Sequence, residues 1–361
     1  MSSQRQRQRQ LRRRQVVAVT ALGAVIAVVV LFVVSLISPA RIRHGVYHPP
    51  PHSRGHTVKT RAHQPGSRAG RAVSAGTYGV GVVTLHLVDR TRTVTLPGGQ
   101  VVPRPVTTVV DYPTPRIGAS GDIAGAQPTH ADGPFPLIIF GHGFDILPSV
   151  YGRLLRYWTS AGFVVAAPIF PLENSQAPGG PDENDLPNQP NDMRFVISSL
   201  LHLDAQRNGP LKGLIDTHQI AVAGQSDGGD TALALAYDPS RRDSHLQAAV
   251  ILSGAEIPML PAFKIPAGGP PLLATQGTAD DINLPSATAA YFNPAPPPKY
   301  LLQLLGGSHL GPYSTDRTQL RVVERVTTAF LQYYLDSDRA AMHDMLSAGH
   351  VSGVARLQAD P

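Results

Sequence analysis

At residues 220–229 the chain reads Ile220-Ala221-Val222-Ala223-Gly224-Gln225-Ser226-Asp227-Gly228-Gly229, an apolar run that meets a glycine-rich turn. A continuous apolar run bounded by turn residues is typical of a strand covered on both faces of a parallel sheet. A helical pattern begins at Gly229. The segment therefore predicts a sharp strand-to-helix turn that holds Ser226 at its apex, with glycines on either side to relieve crowding.

The same alternation of buried strand and helix extends on both sides of this turn. Nearer the N-terminus, apolar and polar residues alternate at 80–88 and 106–112, a pattern typical of half-buried strands, and the turn signal Pro97-Gly98-Gly99 lies between these segments. These patterns predict an α/β fold: a doubly wound, mostly parallel sheet with an antiparallel N-terminal hairpin. The predicted buried strands are 137–140, 163–167, 220–223, 248–252, 272–275 and 300–304, and the predicted helices are 150–161, 192–202, 229–237, 285–292 and 316–335.

Two further loops supply what a serine nucleophile requires, a base and an acid that orients it. Asp280 follows the strand at 272–275, and His309 follows the strand at 300–304 within Gly306-Gly307-Ser308-His309. Because parallel strands present their carboxyl ends at one edge of the sheet, we expect Ser226, Asp280 and His309 to converge there. Asp281 is the alternative acid.

Acyl transfer also needs hydrogen-bond donors for the developing oxyanion. One donor is expected from the backbone N–H of Asp227 and the other from that of Phe144, in the loop Gly141-His142-Gly143-Phe144-Asp145. His142 either shapes this loop or contacts the substrate.

The charges divide the chain of 361 residues into two parts. Residues 1–75 contain 13 Lys and Arg and no Asp or Glu, and residues 16–37 are uncharged and long enough to span a bilayer as a helix. Because six arginines precede this span, the positive-inside rule predicts a cytoplasmic N-terminus and a catalytic domain outside the cytoplasm. A membrane role for the basic arm is more economical than nucleic-acid binding, so no nucleic-acid partner is expected.

The predicted organisation follows from these segments. It comprises a basic arm at 1–15, a transmembrane signal anchor at 16–37, a Pro/His/Arg-rich disordered linker at 38–75, the α/β domain at 76–335 and a C-terminal tail at 336–361. A cleaved signal peptide is the alternative to the anchor. The absence of cysteine excludes disulfides and a thiol nucleophile.

These motifs resemble the α/β-hydrolase superfamily, in particular its cap-less bacterial branch, which is similar to dienelactone hydrolase, chlorophyllase and platelet-activating-factor acetylhydrolase. The resemblance covers roughly residues 77–335. It implies Ser226 as nucleophile, Asp280 as acid, His309 as base and the amides of Phe144 and Asp227 as the oxyanion hole. Dienelactone hydrolase itself uses a cysteine nucleophile, which this chain lacks, so dienelactone hydrolysis is not expected.

For each of two further segments, the sequence leaves two interpretations open. Met259, Leu260 and Phe263 either line an apolar acyl pocket or only pack. The carboxylates at 182–185 either lie in a solvated loop or bind Ca²⁺.

The expected function is a membrane-anchored serine esterase that hydrolyses neutral, short-to-medium acyl esters without a cofactor. The expected partners are a small-molecule or lipid-like ester substrate and, through residues 16–37, the membrane. The alternatives are an acyltransferase on the same scaffold and a catalytically silent binding protein.

Overall fold

The structure of the protein is a computed structural model. It describes residues 76–115, 122–209, 211–257, 259–260 and 263–361. The predicted arm, membrane anchor and linker at 1–15, 16–37 and 38–75 lie outside these residues. Within the described ranges, no helix combines the length and the apolar character that a membrane crossing requires.

The described strands form one mixed sheet, in the spatial order β10-β9-β8-β7-β6-β4-β5-β2-β1-β3. The six strands from β5 across to β9 are parallel, whereas β1 and β2 form the expected antiparallel hairpin. All six predicted parallel strands are confirmed, and the mostly parallel α/β sheet with them. The strands are β1 (Gly79–Thr95), β2 (Val101–Thr114), β3 (Ile123–Ala124), β4 (Phe135–Gly141), β5 (Val164–Pro168), β6 (Ile215–Gln225), β7 (Leu246–Leu252), β8 (Leu272–Gly277), β9 (Lys299–Leu304) and β10 (Ala355–Asp360).

Helices cover both faces of the sheet, which explains why its strands read as continuous apolar runs. In β4, Leu137 and Ile139 belong to a hydrophobic cluster on one face of the sheet, and Ile138 and Phe140 belong to a second cluster on the other face; residues from helices complete both clusters. The helices are α1 (Gly152–Ser160), α2 (Gln189–Ala205), α3 (Asp227–Tyr237), α4 (Pro285–Phe292), α5 (Gly311–Ser314), α6 (Arg317–Leu335) and α7 (Arg339–Ala348).

The segment after residue 335 differs from the prediction of a C-terminal tail. Helix α7 packs against α6 and adds buried Ala341 and Met345 to the hydrophobic core, and β10 pairs antiparallel with β9. The edge strand β10 buries only Ala355 and Leu357, so its sequence lacks the apolar run that identified the central strands. The described domain therefore extends to the end of β10.

Candidate active site

Ser226 lies alone between the end of β6 and the start of α3. Its φ of 55° and ψ of −126° place it in a strained region that residues with a side chain rarely adopt. The turn is this sharp because the backbones of Gly224 and Gly228 touch: a Cβ on Gly224 would lie 2.0 Å from the Gly228 carbonyl oxygen. The two glycines of the motif are therefore required by close backbone approach, and the turn projects Ser226 beyond the strand.

The three predicted triad side chains meet at the carboxyl edge of the sheet. The Ser226 hydroxyl lies 2.9 Å from Nε2 of His309, and Nδ1 of His309 lies 2.9 Å from Oδ2 of Asp280. All three are sheltered: Ser226 is 8% exposed and Asp280 2% exposed, and the side chain of His309 is 11% exposed. The arrangement is that of a nucleophile, a base and an orienting acid in hydrogen-bond contact.

Asp280 is held as a carboxylate by its surroundings. Burial favours the neutral acid, but the hydrogen bond and charge of His309, with the backbone N–H of Ile282, keep the pKa of Asp280 below its ordinary value. Oδ1 also accepts the N–H of Asn283 at 3.0 Å, and Oδ2 accepts Nε2 of Gln276 at 3.2 Å. A carboxylate can only accept, so Nδ1 of His309 carries the proton and Nε2 is free to accept the Ser226 hydroxyl. The alternative acid, Asp281, is exposed to solvent.

The loop after β4 approaches the nucleophile closely. A Cβ on Gly143 would lie 3.1 Å from Cβ of Ser226 and 2.9 Å from Oε1 of Gln225, so a larger residue at 143 would force these neighbours to shift. Phe144 follows, 38% exposed. Its backbone N–H and that of Asp227 have no hydrogen-bond acceptor anywhere in the described chain. Two backbone N–H donors without an acceptor in the described chain thus lie beside Ser226.

His142 is fully buried beneath this loop, and backbone groups occupy both of its ring nitrogens. Nε2 accepts the N–H of Phe170 at 3.1 Å, and Nδ1 donates to the carbonyl of Gly143 at 2.8 Å. Burial lowers the pKa of His142 to about 4, although the bond to Gly143 opposes that shift. This placement supports the loop-shaping interpretation over contact with substrate.

The buried neutral His142 makes stability fall in acid. Between its ordinary pKa of 6.5 and about 4, the unfolded chain binds a proton that the folded chain excludes. We expect the free energy of unfolding to fall by about 3 kcal/mol more from pH 7 to pH 4 in the wild type than in His142→Gln, which keeps an acceptor for Phe170 but does not titrate. Urea unfolding at the two pH values measures this difference, and parallel pH dependence of the two proteins would contradict it.

Gln225 forms a polar bridge that sequence reasoning missed. Its Oε1 accepts the Tyr151 hydroxyl at 2.6 Å, and that hydroxyl accepts the N–H of Gly143 at 3.3 Å. Its Nε2 donates to the His309 carbonyl at 3.0 Å. The bridge thereby connects the loop at 141–145 to the loop that carries His309. Gln225 occupies a variable position of the serine motif, so only its place directly before the nucleophile could have drawn attention to it.

A cluster of buried carboxyl groups beside the nucleophile was also missed. Burial, together with the neighbouring Asp227 carboxylate, raises the pKa of Glu173 to about 12, so Glu173 is neutral at pH 7. Asp230 in α3 is likewise buried, and burial raises its pKa well above the ordinary value. Neither oxygen of Glu173 has a hydrogen-bond partner of good geometry among the described residues. Glu173 stands alone in an irregular loop, so no sequence pattern marks it.

Removal of this carboxyl should stabilise the fold. At pH 7, folding must protonate Glu173, which costs about 3 kcal/mol relative to its ordinary pKa of 4.5. We expect Glu173→Gln to raise the free energy of unfolding by about 2–3 kcal/mol at pH 7, with a smaller gain near pH 4.5, where the unfolded chain also holds the proton. Urea unfolding at both pH values measures the gain; a gain independent of pH would contradict the assigned cause.

The apolar candidates lie in a small separate cluster. Leu260 is 4% exposed and packs with Leu186 and with Ala234 of α3, while Met259 and Phe263 are partly buried against them. Ala234 lies two turns along α3 from the nucleophile, about 12 Å at the helical rise. This position favours packing for Leu260.

The carboxylates at 182–185 are engaged within the protein. Asp185 forms two bonds to the buried guanidinium of Arg104, at 2.9 and 2.6 Å, and Asp182 accepts the backbone N–H of Asn184. Arg104 also binds Asp192 of α2, so the loop is tied to β2 and α2. In the portion of the chain that the structure covers, no group of three side chains is placed to hold a metal ion. The solvated-loop interpretation is wrong for Asp185, which is buried.

Comparison with known proteins bears on the fold and on the class of reaction. A family model described as chlorophyllase matches residues 112–257, which include the loop at 141–145 and the Ser226 turn. The relationship to the α/β hydrolases is confirmed. The match spans less than half of the chain, and Asp280 and His309 lie beyond it. It indicates an ester hydrolase of the α/β-hydrolase type. A search of curated proteins gave no match.

Proposed function

We propose that this α/β hydrolase is a serine carboxylic-ester hydrolase that works through an acyl-enzyme on Ser226. The observation that carries the proposal is the continuous hydrogen-bond chain from the Ser226 hydroxyl through His309 to Asp280, with 2.9 Å at each step. This chain supplies the base that a serine hydroxyl needs to attack a carbonyl at neutral pH.

In the first half of the reaction, Nε2 of His309 takes the proton of Ser226 while the serine oxygen attacks the ester carbonyl. The charge that develops on the carbonyl oxygen is stabilised by the N–H groups of Phe144 and Asp227. Asp280 stabilises the imidazolium that forms. When the tetrahedral intermediate collapses, His309 returns the proton to the leaving alcohol, and the acyl group remains on Ser226.

In the second half, a water molecule replaces the alcohol. His309 removes its proton as it attacks the acyl-enzyme, the same amides stabilise the second oxyanion, and the carboxylic acid leaves as Ser226 regains its proton. The protein supplies every acid and base in this cycle from its own side chains.

The proposed substrates are neutral esters of short to medium acyl length, and the charges around the site favour the neutral ones. Asp227 borders the nucleophile, and Asp145 lies at the end of the oxyanion loop, where its backbone N–H binds the Glu173 carbonyl at 2.9 Å. Carboxylates at these two positions repel an anionic acyl group.

We propose that the domain acts outside the cytoplasm, anchored through residues 16–37, so protease added to intact cells should degrade it.

A fluorophosphonate probe tests the proposal, because it labels only a serine that a base has activated. We expect stoichiometric labelling, located by mass spectrometry on the peptide that contains Ser226, together with hydrolysis of p-nitrophenyl esters from acetate upward. Absence of labelling would instead support the silent binding protein. Transfer of the acyl group to an added alcohol in preference to water would support the acyltransferase.

A further inference from the structure

A cavity of about 420 Å³ opens between α1 and α6, and none of its lining residues belongs to the active site. This volume lies within the range of small-molecule sites. We call it the arginine groove, after the residues that dominate its wall: Arg153, Arg156, Tyr157, Arg321, Glu324 and Arg325.

Part of the positive charge in the groove is neutralised by neighbouring acids. Arg153 binds the buried carboxylate of Glu324 at 2.8 and 3.1 Å, and Arg156 binds Asp122 at 3.1 Å. Arg321 and Arg325 have no carboxylate within ion-pair distance in the described residues. The groove thus keeps a net positive charge, although residues 76–361 contain 18 basic and 25 acidic side chains.

The two unpaired arginines stand one helical turn apart on α6. Like charges at i and i+4 are neighbours on a helix surface and destabilise it. Here Arg321 and Arg325 face one cavity together with two further arginines, and the Tyr157 side chain lies among them. Burial raises the pKa of Tyr157, which keeps its phenol protonated and able to donate a hydrogen bond. An anion in the groove would remove the repulsion and accept these donors.

We propose that the arginine groove is a binding site for a phosphate-bearing anion. A guanidinium offers paired N–H donors that match two phosphate oxygens, which makes arginine the preferred partner of this group. The cavity is larger than a phosphate alone needs, so it also admits part of the organic group to which the phosphate is attached.

The position of the groove suggests two sources for this phosphate. The N–H of Gly76, the first described residue, donates to the Ser160 hydroxyl at 3.0 Å, and Ser160 and Val80 line the same cavity. The groove therefore lies beside the segment that leads into β1. A phospholipid headgroup and a soluble phosphate ester carry the same chemistry, and the experiment separates them.

The test is calorimetric titration of the full chain in a neutral detergent with inorganic phosphate, glycerol 3-phosphate and dihexanoyl phosphatidylglycerol. The double variant Arg321→Gln/Arg325→Gln removes the unpaired charges. Arg317→Gln is the matched control, because it removes one exposed arginine from the same helix outside the groove. Retained ester hydrolysis and circular dichroism verify the fold of each variant.

We expect saturable binding by the wild type and by Arg317→Gln, weakened at least about tenfold in the double variant and by added salt. Tighter binding of the phosphatidylglycerol identifies a lipid headgroup as the ligand, and equal or tighter binding of the two soluble phosphates identifies a solute. No binding of any of the three, or equal affinity in the double variant and the wild type, would overturn the proposal.

Discussion

Replacement of Ser226 by alanine should reduce kcat for p-nitrophenyl butyrate by roughly 10⁴- to 10⁶-fold. In the proposed mechanism the Ser226 hydroxyl forms the acyl-enzyme, and the substitution removes it. The residual rate would come from the two backbone donors and from substrate positioning, which remain. The effect should fall on kcat, with little change in KM.

Ser308→Ala is the matched control for this prediction. Ser308 directly precedes His309, and its hydroxyl accepts the N–H of Gly311 at 3.3 Å, so the substitution alters the loop of the base but not the nucleophile. We expect its kcat to stay within about threefold of the wild type. A Ser226→Ala enzyme that hydrolyses the ester at a comparable rate would refute the acyl-enzyme mechanism.

Substitution of Asp280 by asparagine should lower kcat by about 10⁴-fold. Asparagine has nearly the same shape, but its amide group can donate to Nδ1 of His309. The imidazole then carries its proton on Nε2, which can no longer accept the Ser226 proton. Folding should be retained, because the side-chain oxygen can still accept the N–H groups of Ile282 and Asn283.

Asp281→Asn separates the two candidate acids of the sequence. Asp281 carries the same charge one position further along the chain, but its side chain is exposed. We expect its kcat to remain within about twofold of the wild type at moderate ionic strength. If Asp281→Asn lost activity and Asp280→Asn kept it, the observed hydrogen bond to His309 would not be the functional one.

Local patterns were sufficient for most of the central sheet. The strand at 137–140 was recognisable because each of its residues is buried, on one face or the other. The turn at Ser226 was recognisable because its glycines adjoin the serine in the chain. The edge strand β10 was not recognisable, since only alternate residues of one short segment are buried there. A pattern predicts a strand only where burial is dense enough to dictate residue type.

The sequence by itself determined which side chains could form the triad, because each candidate follows its own buried strand. Only the tertiary structure shows that Asp280, and not the exposed Asp281, lies within hydrogen-bond distance of His309. Only it brings Ser226 to His309, 83 positions away. It alone placed Glu173 beside Asp227 and Gln225 between two loops. The physical reason is that burial repeats along a strand or helix and therefore determines the residue types of one short segment. A hydrogen bond or a raised pKa instead depends on which groups, distant in the sequence, the folded sheet brings within a few ångströms.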